Sequence, residues 1–216
     1  MVFLMGISPQ QQAMAENRDL ELILTPIGRE AFIFFVNSRN SINNLSTEDI
    51  QRVYSGEVKN WREVGGENDS IRAFQRPEDS GSQTMLKEIM GNIPLAPAPS
   101  THIQASMMNM YGSVASYQNY RNALGYSFLF YIRDMIDEDE VKYLTIDDVA
   151  PTPDNIANGV YPFAHEIYAI TVRSDGAYLN PERTEHIDSL LAWMMSSQGQ
   201  YLVEETGYVP MQFATK

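Results

Sequence analysis

The hydrophobic pattern changes period repeatedly along this chain, and each change predicts an element. Val2 to Met5 is a short apolar run that predicts a buried strand, and Pro9 to Asn17 predicts a helix with Ser8 as N-cap. Leu20 to Leu24 and Glu30 to Val36 predict two further strands, parted by a turn at Thr25-Pro26-Ile27-Gly28. Strand, helix, strand in so short a span points to an α/β sheet. After a polar stretch from Asn37 to Asn44, Ser46 and Asp49 form a capping-box pair before a helix whose Ile50, Val53 and Tyr54 share a face. Ile71 to Gln75 predicts a strand, Thr84 to Met90 a helix, Ile103 to Tyr120 a Met-rich helix, and Ala123 to Tyr131 a buried strand. Val141 to Ile146 and His165 to Val172 predict strands. Two helices close the chain, one capped by Asn180 with the stripe Ile187, Leu190, Leu191, Met194 and Met195, the other from Gly199 to Thr206.

Composition narrows the classes. With 44% hydrophobic and 20% charged residues, the 216-residue chain has the balance of a folded globular protein of one large domain or two lobes. No run approaches the roughly 20 apolar residues needed to cross a bilayer, and the chain as given shows no signal peptide. A net charge of −13 lacks the basic footprint of a nucleic-acid or membrane-surface binder. It does not exclude a small anion, because charges beyond about 8 to 10 Å are screened and a local donor cluster governs such a site. The absence of cysteine removes disulfides, thiolate metal sites and cysteine nucleophiles.

His102, His165 and His186 have no metal-ligand spacing, and the acidic turn Asp137 to Glu140 lacks the alternation and glycine bend of a calcium loop. No nucleophile elbow or Walker loop is present, and no acidic pair stands out as a hydrolase dyad. No metal, no cofactor and no catalysis are therefore expected. One segment carries the parts of a binding site. In Phe74-Gln-Arg-Pro-Glu-Asp-Ser-Gly-Ser-Gln-Thr84 a strand gives way to a helix, where unpaired N–H groups and the dipole favour negative charge. Gly81 admits close backbone approach, Ser80 and Ser82 can donate hydroxyl bonds, and Arg76 offers a planar fork. On spacing alone a second reading also stands: a serine caps the helix, Gly81 relaxes a turn, and Arg76 lies on the surface.

Arg76-x-x-x-Ser80-Gly81-Ser82 at a helix start resembles the phosphate-contacting loop of the phosphate-binding proteins that serve ABC transporters. Thr25-Pro-Ile-Gly-Arg-Glu-Ala-Phe-Ile-Phe-Phe-Val-Asn37, Leu45 to Ile50 with Tyr54 to Trp61, Leu124-Gly-Tyr126, and Gly199-Gln200 to Pro210 are similar to family segments in the same order. The resemblance implies an α/β, two-lobed class II periplasmic-binding-protein fold, with residues 1–38 and 164–216 as lobe one and 39–163 as lobe two. It implies a binding protein, not an enzyme. Phosphate would sit in an interlobe cleft, contacted by Arg76, Ser80, Gly81, Ser82 and Ser8. Glu78 lies where the family often has a carboxylate that accepts the proton of phosphate and so disfavours sulfate. The implied setting is extracytoplasmic phosphate uptake with ABC transporter membrane subunits as partners. Another tetrahedral oxyanion, a sensor role, a scaffold with a degenerate site and an enzyme built on an acidic pair are the alternatives. The opening strand and Gly/Ser/Thr loop of the family have no counterpart before Val2, so lobe one is expected to be incomplete, with exposed apolar surface that a partner chain or a second copy would cover.

Overall fold

A computed structural model describes residues 1–7, 9–115, 121–133, 140–178 and 184–212. In chain order its elements are β1 (Val2–Leu4), α1 (Pro9–Glu16), β2 (Glu21–Asn37), β3 (Asn44–Leu45), α2 (Thr47–Tyr54), β4 (Arg72–Ala73), α3 (Gly81–Met90), α4 (Met107–Ala115), β5 (Ala123–Phe128), α5 (Leu129–Arg133), β6 (Val141–Tyr143), β7 (Thr145–Ile146), α6 (Pro153–Ala157), β8 (Ala164–Ser174), β9 (Ala177–Tyr178), α7 (Thr184–Met194) and α8 (Ser197–Glu205). They fall into two compact units, Met1–Glu30 with Ala164–Lys216, and Ala31–Phe163. The first crossing thus comes earlier than the polar stretch from Asn37 suggests. It lies inside β2, because Phe32 to Asn37 pair with β5 and β6 of the second unit.

The second unit is built on the run Ala31-Phe-Ile-Phe-Phe-Val36, buried on both faces of β2. A strand covered on both faces needs no polar face, which is why the apolar letters run without alternation. β5 pairs antiparallel with β2 from Phe32↔Phe128 to Val36↔Leu124, and β4 lies parallel to β5. The aromatic rings interlock. Phe34 meets Phe32, Tyr54, Tyr126 and Phe163 at centroid separations of 5.5 to 6.2 Å. The sequence-predicted capping box is present: Ser46 Oγ accepts from the Asp49 N–H at 3.0 Å, and the Asp49 carboxylate accepts from the Ser46 N–H at 3.1 Å. Ser46→Ala is expected to cost about 1 kcal/mol. In a chain of this size that lowers the thermal midpoint by about 2 to 4 °C. A scanning-calorimetry trace unchanged from the parent would refute it.

In the first unit β8 lies between β1 and β2, and β9 pairs with β8. The buried Gln200 ties α8 to β2, its Nε2 donating to the Ile27 carbonyl at 3.0 Å. Tyr178 tethers α7 by donating to Asp188 Oδ1 at 2.6 Å, under a cation–π contact from Arg173. Two faces here are open. Val2, Phe3 and Leu4 of β1 are exposed, as are Met14, Leu190, Trp193, Met195, Tyr201 and Leu202, and α7 has no buried residue.

Several sequence expectations need correction. β1 forms but is not buried, since it hydrogen-bonds only to β8 at the sheet's margin. The two strands expected around Thr25-Pro26-Ile27-Gly28 are one 17-residue strand. Gly28 serves close packing instead of a turn, for a Cβ there would lie 3.0 Å from Val203 Cγ1. The strand expected through Tyr131 ends at Phe128, where the chain turns into α5. Val141 to Ile146 splits into two strands that serve different partners, β2 and β3. α4 begins at Met107, with the Ser106 hydroxyl accepting from the Asn109 N–H, four residues later than expected. Ser8, Asn180, and the last residues of the expected helix to Tyr120 lie outside the described residues, as does most of the acidic turn.

Candidate oxyanion-binding site

Five of the residues expected from the sequence, Arg76, Glu78, Ser80, Gly81 and Ser82, lie in the second unit, where β4 leads into α3. The chain leaving β4 is held on both sides. Phe74 N–H donates to the Leu124 carbonyl at 3.0 Å, Gln75 N–H to His102 at 2.9 Å, and Gln104 N–H returns to Gln75 at 2.8 Å. A turn closed by Ser80 N–H donating to the Pro77 carbonyl then brings the chain to α3. Ser80 is the N-cap, extended at φ −84° and ψ 141°, with its Oγ accepting from Gln83 N–H. The Gly81 and Ser82 N–H groups, in the first turn, have no intrahelical acceptor.

Gly81 is exposed, and a Cβ built on it meets no atom within 4 Å. Packing within the chain therefore does not require glycine there. Ser82 is only 3% exposed, and its hydroxyl has no partner among the described residues. Arg76 is held at both ends. Its N–H is shared between Gln83 Oε1 and the Tyr126 hydroxyl, each at 2.9 Å, and Nη1 donates to the Gln104 carbonyl at 2.9 Å. Its Nε is buried without a partner among the described residues. Burying an unsatisfied donor costs about 1 to 3 kcal/mol, so Arg76 Nε, before α3, and Ser82 Oγ, in its first turn, are each donors that an acceptor would stabilise.

The Glu78 side chain is 78% exposed and ion-paired with Lys87 of α3. Ser8, the remaining expected contact, lies outside the described residues. Gln83, Gln104 and Tyr126 were not singled out by the sequence reading, yet each bonds to Arg76. One signal for Gln83 existed: it is a polar residue on the face of α3 that carries Leu86 and Met90 (i, i+3, i+7). Burial raises the Tyr126 hydroxyl well above its ordinary pKa, outweighing the Arg76 N–H that lowers it. Tyr126 therefore stays a neutral donor at physiological pH. Tyr54, fully buried nearby, is likewise held protonated by burial and then by Tyr126.

Other chemistry finds little support. Among the described residues no group of three or more His, Asp or Glu is placed to hold a metal ion. His102 packs edge-on against Phe74 at 5.9 Å, and burial, then the charge of Arg72, lowers its pKa. No helix among the described residues is long and apolar enough to cross a membrane.

Comparison with known structures defines the class. An ABC-type phosphate transport receptor from Vibrio cholerae matches with a TM-score of 0.71 and 22% identity, covering 91% of this chain and 82% of that one. PstS from Borrelia burgdorferi matches with a TM-score of 0.69 and 19% identity, covering 97% of this chain and 78% of that one. The fold is the α/β, two-lobed class II periplasmic-binding-protein fold. A family model, the PBP superfamily domain, matches residues 6–198, and the chain belongs to that superfamily. Among curated proteins it is similar to the phosphate-binding protein PstS of Borreliella burgdorferi (26% identical over 192 residues, 86% of this chain) and of Bacillus subtilis (28% over 178 residues, 82% of this chain). It spans 64% and 53% of their respective lengths.

Proposed function

We propose that this chain binds inorganic phosphate at the start of α3, performs no chemistry on it, and serves extracytoplasmic phosphate uptake with the membrane subunits of an ABC transporter. Arg76 supplies the cation, Gly81 and Ser82 the backbone N–H groups, and Ser82 a hydroxyl, with Ser80 shaping the helix start. The observation that carries the reading is two buried donors without partners among the described residues, Arg76 Nε in the loop before α3 and Ser82 Oγ in its first turn. The similarity to curated phosphate-binding proteins adds the ligand and the transport setting.

A second reading concerns selectivity. Glu78 is engaged by Lys87 on the surface, and a site of donors alone would accept sulfate as readily as phosphate. Titration calorimetry of this chain with each anion decides. Phosphate is expected to bind, releasing a measurable heat. A preference for phosphate over sulfate would mean that an acceptor, such as a Glu78 released from Lys87, meets the phosphate proton. Equal affinities would mean a site that reads only charge and shape. If neither anion binds, the proposed function is wrong.

A further inference from the structure

We infer that Gln83 is a positioning residue for the oxyanion site, acting with Tyr126 to set where Arg76 lies. The inference rests on the phosphate-binding reading above. Gln83 is in the first turn of α3 and 1% exposed, so its carboxamide is placed by packing and not by solvent. Every polar atom of that carboxamide is used. Oε1 accepts from the Arg76 N–H at 2.9 Å and from the Tyr126 hydroxyl, and Nε2 donates to Gln75 Oε1 at 3.1 Å. Gln75 in turn donates from Nε2 to the Ala96 carbonyl at 2.9 Å. The Gln83 N–H donates to Ser80 Oγ, the helix cap itself. The Gln83 side chain therefore joins the loop after β4 to the middle of β5, while its backbone holds the helix cap.

The geometry explains why glutamine suits this place. The Arg76 N–H and the Tyr126 hydroxyl converge on one point, and a carbonyl oxygen with two lone pairs can receive both. The Tyr126 oxygen also accepts from the same Arg76 N–H, closing a three-centre ring. An apolar residue of the same length would leave the Arg76 N–H with Tyr126 alone and free the strand end to shift. A guanidinium gives its full value only when both oxygens of its partner are met in one plane, so a small displacement of its backbone costs affinity. The protonated state of Tyr126 makes this hold insensitive to pH across the physiological range.

The test is a double-mutant cycle read by phosphate titration calorimetry on the full chain, with circular-dichroism melts confirming that each variant is folded at the assay temperature. Gln83→Met keeps length and loses the acceptor. It is expected to weaken phosphate binding roughly tenfold, the upper part of the range for a neutral hydrogen bond. With Arg76→Ala already present, Gln83→Met is expected to change affinity far less, since no guanidinium remains to be placed. If Gln83→Met does not fold, Tyr126→Phe replaces it in the same cycle and is expected to show the same coupling to Arg76→Ala. Parent-like phosphate affinity in a folded variant, or losses that simply add, overturns the inference while phosphate binding itself stands. A parent chain that binds no phosphate overturns the functional reading, and this inference with it.

Discussion

Arg76→Ala is expected to weaken phosphate binding by about 1.5 to 3 kcal/mol, the range for hydrogen bonds to a charged group. That is a loss of roughly 10- to 150-fold in affinity. The expectation follows from how the residue is held. Its Nη1 is spent on the Gln104 carbonyl, which fixes the plane of the guanidinium. Its Nε is buried without a partner among the described residues. A donor in that state has little water to lose on meeting an anion, so more of the bond strength appears as affinity. The same change should cost the fold little beyond the Gln104 bond, because the Arg76 N–H bonds to Gln83 and Tyr126 belong to the backbone and survive. Arg76→Lys should recover only part of the loss, since an ammonium keeps the charge and discards the planar fork. Calorimetry that finds equal affinities in the parent and Arg76→Ala would remove Arg76 from the site.

Phe34→Ala is expected to destabilise the second unit by about 3 to 5 kcal/mol. Phe34 is fully buried and touches four other rings, contributed by β2, α2, β5 and the segment before β8. Removing it deletes apolar burial and leaves a gap lined by rigid rings that cannot easily close around it. At about 2 to 4 °C for each kcal/mol in a chain of this size, the midpoint of the corresponding melting transition should fall by roughly 6 to 20 °C. Urea unfolding followed by aromatic fluorescence gives an independent reading. A loss below about 1 kcal/mol would show that the ring cluster repacks, and that Phe34 is not the centre of this core.

The candidate site was legible in the sequence only where its geometry is local. The Ser80 cap, the glycine after it and the hydroxyl of Ser82 lie within three residues, and helix-start chemistry acts over that distance. The partners of Arg76 were not legible. Gln83 is seven residues away, Gln104 is 28 and Tyr126 is 50, and nothing in the spacing of one chain says which distant strand will lie beside a loop. The ion pair of Glu78 was not legible for a related reason. Its place next to the motif is a fact of sequence, but its direction depends on a turn and on Lys87 of the neighbouring helix.

The same division runs through the fold. By itself the sequence determined which segments could be helix or strand, the capping box at Ser46 and Asp49, and the strand character of the run from Glu30 to Val36, because these depend on local hydrogen bonding and on side-chain period. Only the tertiary structure decided that Pro26 and Gly28 would sit inside one long strand, that the apolar β1 would be exposed, and that the stripe of α7 would have no buried member. Each of those outcomes turns on what packs against the segment, and a buried or exposed face is a property of two surfaces, of which a local pattern specifies one.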